Sequence, residues 1–344
     1  MNSMQDINQK SKRQKDTSEK NSNKSKGAET MKNTVGLFIA AIFALMTTGA
    51  VQAETLTVDP NDNNNYDSIQ TAINNAGQGD IISLATGTYP ETLDMKGKSL
   101  TIDGDGIGST IIDASSLTGY AISNFGNQTT FKNVTLKGTA DDYGFKISHV
   151  SDITLENIKV EDSEKTGIDL NTVDNATLSN IEVVNTPSGF GIMMLDSTNI
   201  DVTDITTSGN AWGGVSIHAV DADADTITFS GTFDAAEDVP LLLEQDPPYA
   251  GDFVNLDLPD KFGYVVYGER NPSTEGYRQW IYKETLIEAK TFANGMLSSS
   301  DTYADMLIYD VAEENYHVIS GMSIRTAINN AGQGETINVA GGTY

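Results

Sequence analysis

Gly144-Phe145-Lys146-Ile147, Gly167-Ile168-Asp169-Leu170, Gly191-Ile192-Met193-Met194 and Gly214-Val215-Ser216-Ile217 recur at intervals of 23, 24 and 23 residues. After each glycine the apolar residues stand two apart, the spacing of a strand with one face turned inward. A second column of the same kind runs through Thr129/Phe131, Ile153/Leu155, Ala176/Leu178 and Ile200/Val202. A third runs through Val134/Leu136, Ile158/Val160, Ile181/Val183 and Ile205/Thr207. Between the second and third columns stands Asn133, Asn157, Asn180 and then Asp204. An amide repeated at one bend can hydrogen-bond to its copies above and below and so satisfy polar groups there. Helical tandem repeats need a spacing of 3.6, and a propeller blade takes about 40 residues, so neither fits. The period predicts a solenoid with three short strands per coil.

Working outward, Lys98 to Ile122 and Ala222 to Phe233 read as less regular first and last coils. Ahead of them, Ile69, Ala72, Ile73 and Ala76 form one helical stripe, which Gly77 and Gly79 end. Such a helix covers the open end of a first coil. With these features the chain resembles, over roughly residues 55 to 233, the pectate-lyase-like superfamily of right-handed β-helix repeat proteins. The expected fold is therefore all-β: a right-handed parallel β-helix with an N-terminal capping helix, followed by a small α+β spacer module. Spacers of that kind occur in the multi-repeat secreted and surface proteins that the pattern resembles.

The cap is duplicated. Ser68 to Tyr89 matches Ser323 to Tyr344 at 16 of 22 positions with a constant offset of 255. The second copy reads as the truncated start of another unit, whose apolar face is expected to lack support. Between the copies, Pro240, Pro247, Pro248, Pro259 and Pro272 punctuate the chain. Lys283 to Met296 reads there as an amphipathic helix between strands at Phe262 to Tyr267 and Met306 to Tyr309. At the other end, Met31-Lys32 precedes an apolar run from Val35 to Met46 and the small residues Ala50-Val51-Gln52-Ala53. That order is expected of a cleaved secretory leader, the run being shorter than the roughly 20 residues of a membrane span. The expected organisation is 1–53 polar extension and leader, 54–238 β-helix, 239–320 spacer and 321–344 second unit. The expected location is secreted or at the cell surface.

Composition narrows the chemistry. The chain of 344 residues has no cysteine, which removes disulfide frameworks, thiolate metal sites and cysteine nucleophiles. Its net charge is −27, and the part after residue 53 keeps 13 basic against 44 acidic residues, or −31. Nucleic acid is thus a poor partner, and cations or neutral polymers are better ones.

The outward positions of the glycine-led strands are Lys146, Asp169, Met193 and Ser216, then Ser148, Asn171, Leu195 and His218. Resemblance to β-helix polysaccharide lyases and hydrolases implies that substrate lies along this face. A lyase reading makes Lys146 the base, with Asp169, Asp141 and Asp142 as weak calcium ligands. Two departures weigh against it. There is no arginine between Glu54 and Phe233, although pectate lyases of this fold use one as base, and the Gly-His-Gly of the hydrolases is missing. A binding reading uses Tyr143 and Trp212, in equivalent loops before two of these strands, to stack on sugar rings, with Asn171 and His218 as polar partners. The expected function is a structural or adhesive module whose partner is polysaccharide or cell-envelope material. The rival is a lyase or glycosidase acting on acidic polysaccharide, and a third reading is a ligand-free envelope scaffold.

Overall fold

A computed structural model describes residues 52–62, 65–219, 226–245, 258, 261–269, 278–299 and 306–344. Most of the expected leader, up to Val51, the residues Asp221 to Asp225, and Pro247, Pro248, Pro259 and Pro272 lie outside them. The period of the sequence becomes a stack of parallel strands. Thr130–Lys137, Ser151–Glu161, Asp174–Val184, Thr198–Ser208 and Ile227–Ala235 pair in that order. The glycine-led strands Phe145–Ser148, Ile168–Asn171, Phe190–Leu195 and Gly213–Ala219 pair in a second sheet. The fold is a right-handed parallel β-helix.

The second and third columns are not separate strands. They fuse into strands of 11 residues such as Ser151–Glu161 and Asp174–Val184. In each, the inward residues change parity, as from Ile153 and Leu155 to Ile158 and Val160, and one residue must absorb the change. Asn133, Asn157, Asn180 and Asp204 do so at φ 61°, 53°, 51° and 54°, left-handed backbone that asparagine and aspartate tolerate best. Asn157 donates to Asn133 at 2.8 Å and Asn180 to Asn157 at 2.7 Å, each bond worth about 0.5–1.5 kcal/mol. The ladder lies on the outside of the bend rather than in the core, Asn180 being exposed. Asp204 ends it by accepting from the Thr232 amide at 2.8 Å.

The glycine column has another cause. A Cβ on Gly144 would meet the carbonyl oxygen of Gly167 at 2.4 Å, and one on Gly191 that of Gly214 at 2.7 Å. No side chain fits where successive coils approach so closely. Inside, Phe145, Ile168, Ile192, Val215 and Leu241 stack in register, each 0% exposed. Burying each such side chain stabilises the fold by about 1.5–3 kcal/mol.

Helix α1 (Ile69–Asn75) closes the first coil with Ile69, Ala72 and Ile73 buried. Its first turn is held by Ser68, the N-cap, and by Glu91, which accepts from the amides of Ile69 and Gln70 at 2.7 and 2.9 Å. At the other end, Leu241–Gln245 continues the glycine-led sheet in parallel, and Arg278–Lys283 then pairs with it antiparallel. Tyr264–Glu269, Leu307–Asp310, Asn315–Val318 and Thr336–Val339 follow in the same sheet. Phe262, Trp280 and Tyr282 pack on the last coil at Phe229 and Phe233, closing the solenoid core.

Helix α2 (Leu286–Ser299) starts later than the pattern suggests, because Lys283 is the last residue of a strand. Thr285 and Glu288 form a reciprocal capping box, which sets the start at Leu286. The duplicated segment forms the same elements, helix α3 (Ile324–Asn330) and strand Thr336–Val339. Among the described residues no helix is long and apolar enough to cross a membrane.

Candidate functional site

The outward residues of the glycine-led sheet form two rows, Lys146-Asp169-Met193-Ser216 and Ser148-Asn171-Leu195-His218, with neighbours one strand apart. Pairing of Ile122 with Phe145 and of Leu93–Asp94 with Ile122–Ser123 extends the first row back through Ser123 to Asp94. Lys146 minus one period of 23 is residue 123, so this extension was available in the sequence.

The face along which substrate was expected to lie is divided. Met193 packs on a second apolar cluster, built of Phe190, Leu242, Val266, Ile281, Ala289 and Ile308, so the spacer covers that end. Asp169 and Ser216 point outward from the sheet yet are 0% exposed. The Lys146 ammonium bonds to Asp169 Oδ2 and lies 4.7 Å from the centre of the Tyr143 ring. Burial raises the Asp169 carboxyl above its ordinary range, and Lys146 pulls it back only in part. Its Oδ1 has no hydrogen-bond partner.

Toward the N-terminal coils the face is open. Asp94, Lys96, Tyr120, Ser123, Asn124, Lys146, Ser148 and His149 line a cleft of about 560 Å³. Tyr120 is 43% exposed and lies against Tyr143 with ring centres 6.1 Å apart. Lys165 bonds to Asp142 at 3.1 Å and sits 5.2 Å from the Tyr143 ring. Lys96 pairs with Asp94 at 2.6 Å, which holds the Asp94 carboxyl below its ordinary range against the opposing effect of burial.

The predicted residues are therefore brought together only in part. Lys146, Asp169 and Tyr143 form one contact group. Asn171 and His218 stay in the second row, where Asn171 Oδ1 accepts from Thr172 and His218 Nδ1 stands 3.9 Å from Glu244. Trp212 lies three coil spacings from Tyr143, about 14 Å. It is 58% exposed, edge-on to Phe190 at 5.8 Å, in a shallow cleft with Asn210, Glu237 and Asp238. The three acids read as calcium ligands do not converge. Asp141 accepts from the Gly119 amide, Asp142 holds Lys165 and Asp169 lies under Lys146. Among the described residues no three histidine or acidic side chains gather to hold an ion.

Residues 103–232 match the family described as a right handed beta helix region. No curated protein matches the chain. Among solved structures it is similar to the catalytic domain of a GH87 alpha-1,3-glucanase in complex with nigerose, at 16% identity and a TM-score of 0.37. That likeness covers 51% of this chain and 33% of the glucanase domain, so the chain spans about a third of that domain's length. A pectin methylesterase from carrot is similar at 12% identity and a TM-score of 0.32, covering 61% of this chain and 85% of the other. One from Aspergillus niger is similar at 15% identity and a TM-score of 0.30, covering 60% and 87%.

Proposed function

We propose that the chain, whose residues 103–232 form a right-handed β-helix region, is a secreted or cell-surface module with a structural and adhesive role that holds polysaccharide on the open half of its outward sheet. The observation that carries this reading is the cleft beside Tyr120. An exposed ring suited to stacking on a sugar stands there among donors and acceptors of both kinds: Ser123, Ser148, Asn124, Asp94 and Lys146. The same geometry argues against Lys146 as a catalytic base. The Lys146 ammonium is already engaged by Asp169 and by the face of Tyr143, and the buried Asp169 offers substrate no surface.

The test is electrophoresis of the full chain through gels carrying neutral or acidic polysaccharides, with and without calcium, beside an assay for unsaturated products and new reducing ends. Retention without product, weakened about tenfold by Tyr120→Ala, is the expected result. Product that disappears in Lys146→Ala makes the chain a lyase or glycosidase instead. Absence of both signals leaves only an envelope scaffold.

A further inference from the structure

The seven lysines of the solenoid are all engaged. Lys96, Lys132, Lys137, Lys146, Lys159 and Lys165 pair with carboxylates, and Lys98 donates to the carbonyls of Ile73, Asn74 and Ala76 at the end of α1. Lys283, at the end of its strand, is different. It is 6% exposed, and among the described residues its ammonium pairs with no carboxylate and rests on the face of Phe292, 4.6 Å from the ring centre. Burial lowers its pKa, while Asp238 and Glu288 oppose that at longer range.

Three of the carboxylates nearby are committed elsewhere. Glu237 accepts from Thr207 and Asn210, Glu284 pairs with Lys261 at 3.1 Å, and Glu288 caps α2. Asp238 is exposed at the rim. Lys283 lines a cleft of about 660 Å³ between the solenoid's last turn and α2, with Pro240, Ile287, Phe292 and Met296 as its apolar wall. A buried cation without a carboxylate is costly to keep, and a cavity beside it gives a ligand the means to offset that cost.

We propose that this cleft is a binding site for a small apolar monocarboxylate, its carboxylate on the Lys283 ammonium and its tail against Ile287, Phe292 and Met296. One carboxylate completes the missing ion pair, the apolar wall takes a hydrocarbon or aryl tail, and the acidic rim turns away polyanions. The site is separate from the outward cleft and does not depend on that reading.

Calorimetry of the full chain with 4-phenylbutyrate and with its neutral amide tests the proposal. The acid is expected to bind at least about tenfold more tightly than the amide. Lys283→Met is expected to abolish that preference while raising the urea midpoint of unfolding, because it removes an unpaired buried charge without removing volume. Ile287→Asp, at a position 78% exposed, is expected to weaken the acid by placing a like charge at the mouth. Equal binding of acid and amide, no binding of the acid, or a lower midpoint or failure to fold in Lys283→Met would each overturn the proposal, the last two by making Lys283 structural.

Discussion

Helices α1 and α3 begin with the same residues in the same conformation and end in different surroundings. Both start at a serine whose hydroxyl accepts from the amide three residues on, at 3.2 Å. In both segments a tyrosine hydroxyl, of Tyr89 or Tyr344, donates to the carbonyl four residues back. Yet Ile73 is 0% exposed and Ile328 59%, Leu84 1% and Val339 46%, Tyr89 1% and Tyr344 46%. In the first copy the strand Ile81–Leu84 lies between Thr55–Val58 and Thr101–Asp103; in the second, Thr336–Val339 pairs with Asn315–Val318 on one side. Local sequence is thus enough to build the helix and the strand, and the neighbouring coil decides whether the apolar face contributes stability.

The largest expected difference between the copies lies in their apolar faces. Ile73→Ala is expected to cost about 2–5 kcal/mol in urea unfolding, and Ile328→Ala less than about 0.5 kcal/mol. Equal costs would mean that the second face is covered in solution.

Burial also sets an alkaline limit. It pushes the Tyr89 hydroxyl up to about 12, aided by Asp59, Asp105 and Glu91, and burial pushes Tyr282 up to about 12 as well. Unfolded tyrosines ionise near about 10, so between about pH 10 and 12 the folded chain holds protons that the unfolded chain releases. That stability is fully present below pH 10 and is lost as pH rises through 12. Tyr89→Phe is expected to flatten the fall, as measured by urea midpoints at pH 9, 10 and 11.

At neutral pH the same substitution is expected to cost about 1 kcal/mol, because the carbonyls of Val58 and Ala85 lose a buried donor. Tyr344→Phe should cost a few tenths. The smallest contrast is at the caps. Ser68→Ala and Ser323→Ala are each expected to weaken their helix by about 0.5–1 kcal/mol, seen as faster amide exchange in the first turn. Ser68 should cost more, since its hydroxyl also donates to Glu91 at 2.9 Å.

What was legible in the sequence follows the same division. The inward columns, the left-handed bends and the stripe of α1 repeat or obey a fixed spacing, so their partners can be counted. The fusion of two columns into one bent strand was also written there, as the change of parity across Asn157. The burial of Ser216 beside Met193 and Leu242, and with it the division of the outward face, depends on a non-repeating spacer whose position no period encodes. Its helix start was readable from Thr285 and Glu288, but the apolar pattern drew the boundary to Lys283. That misplaced boundary hid a buried lysine whose setting differs from that of the solenoid lysines.

The asparagine ladder has a direction. Asn180 donates to Asn157, Asn157 to Asn133 and Asn133 to Asp103; Asn175 donates to Asp152, Asn185 to Asp162 and Asn199 to Asp174. Every one of these amides points its N–H toward the N-terminal end, so their dipoles add along the solenoid axis as peptide dipoles add along a helix. The positive end of each row terminates on an aspartate. The solenoid is therefore electrically polar along its length, and its side-chain rows carry at their foot the negative charge that such an axis favours.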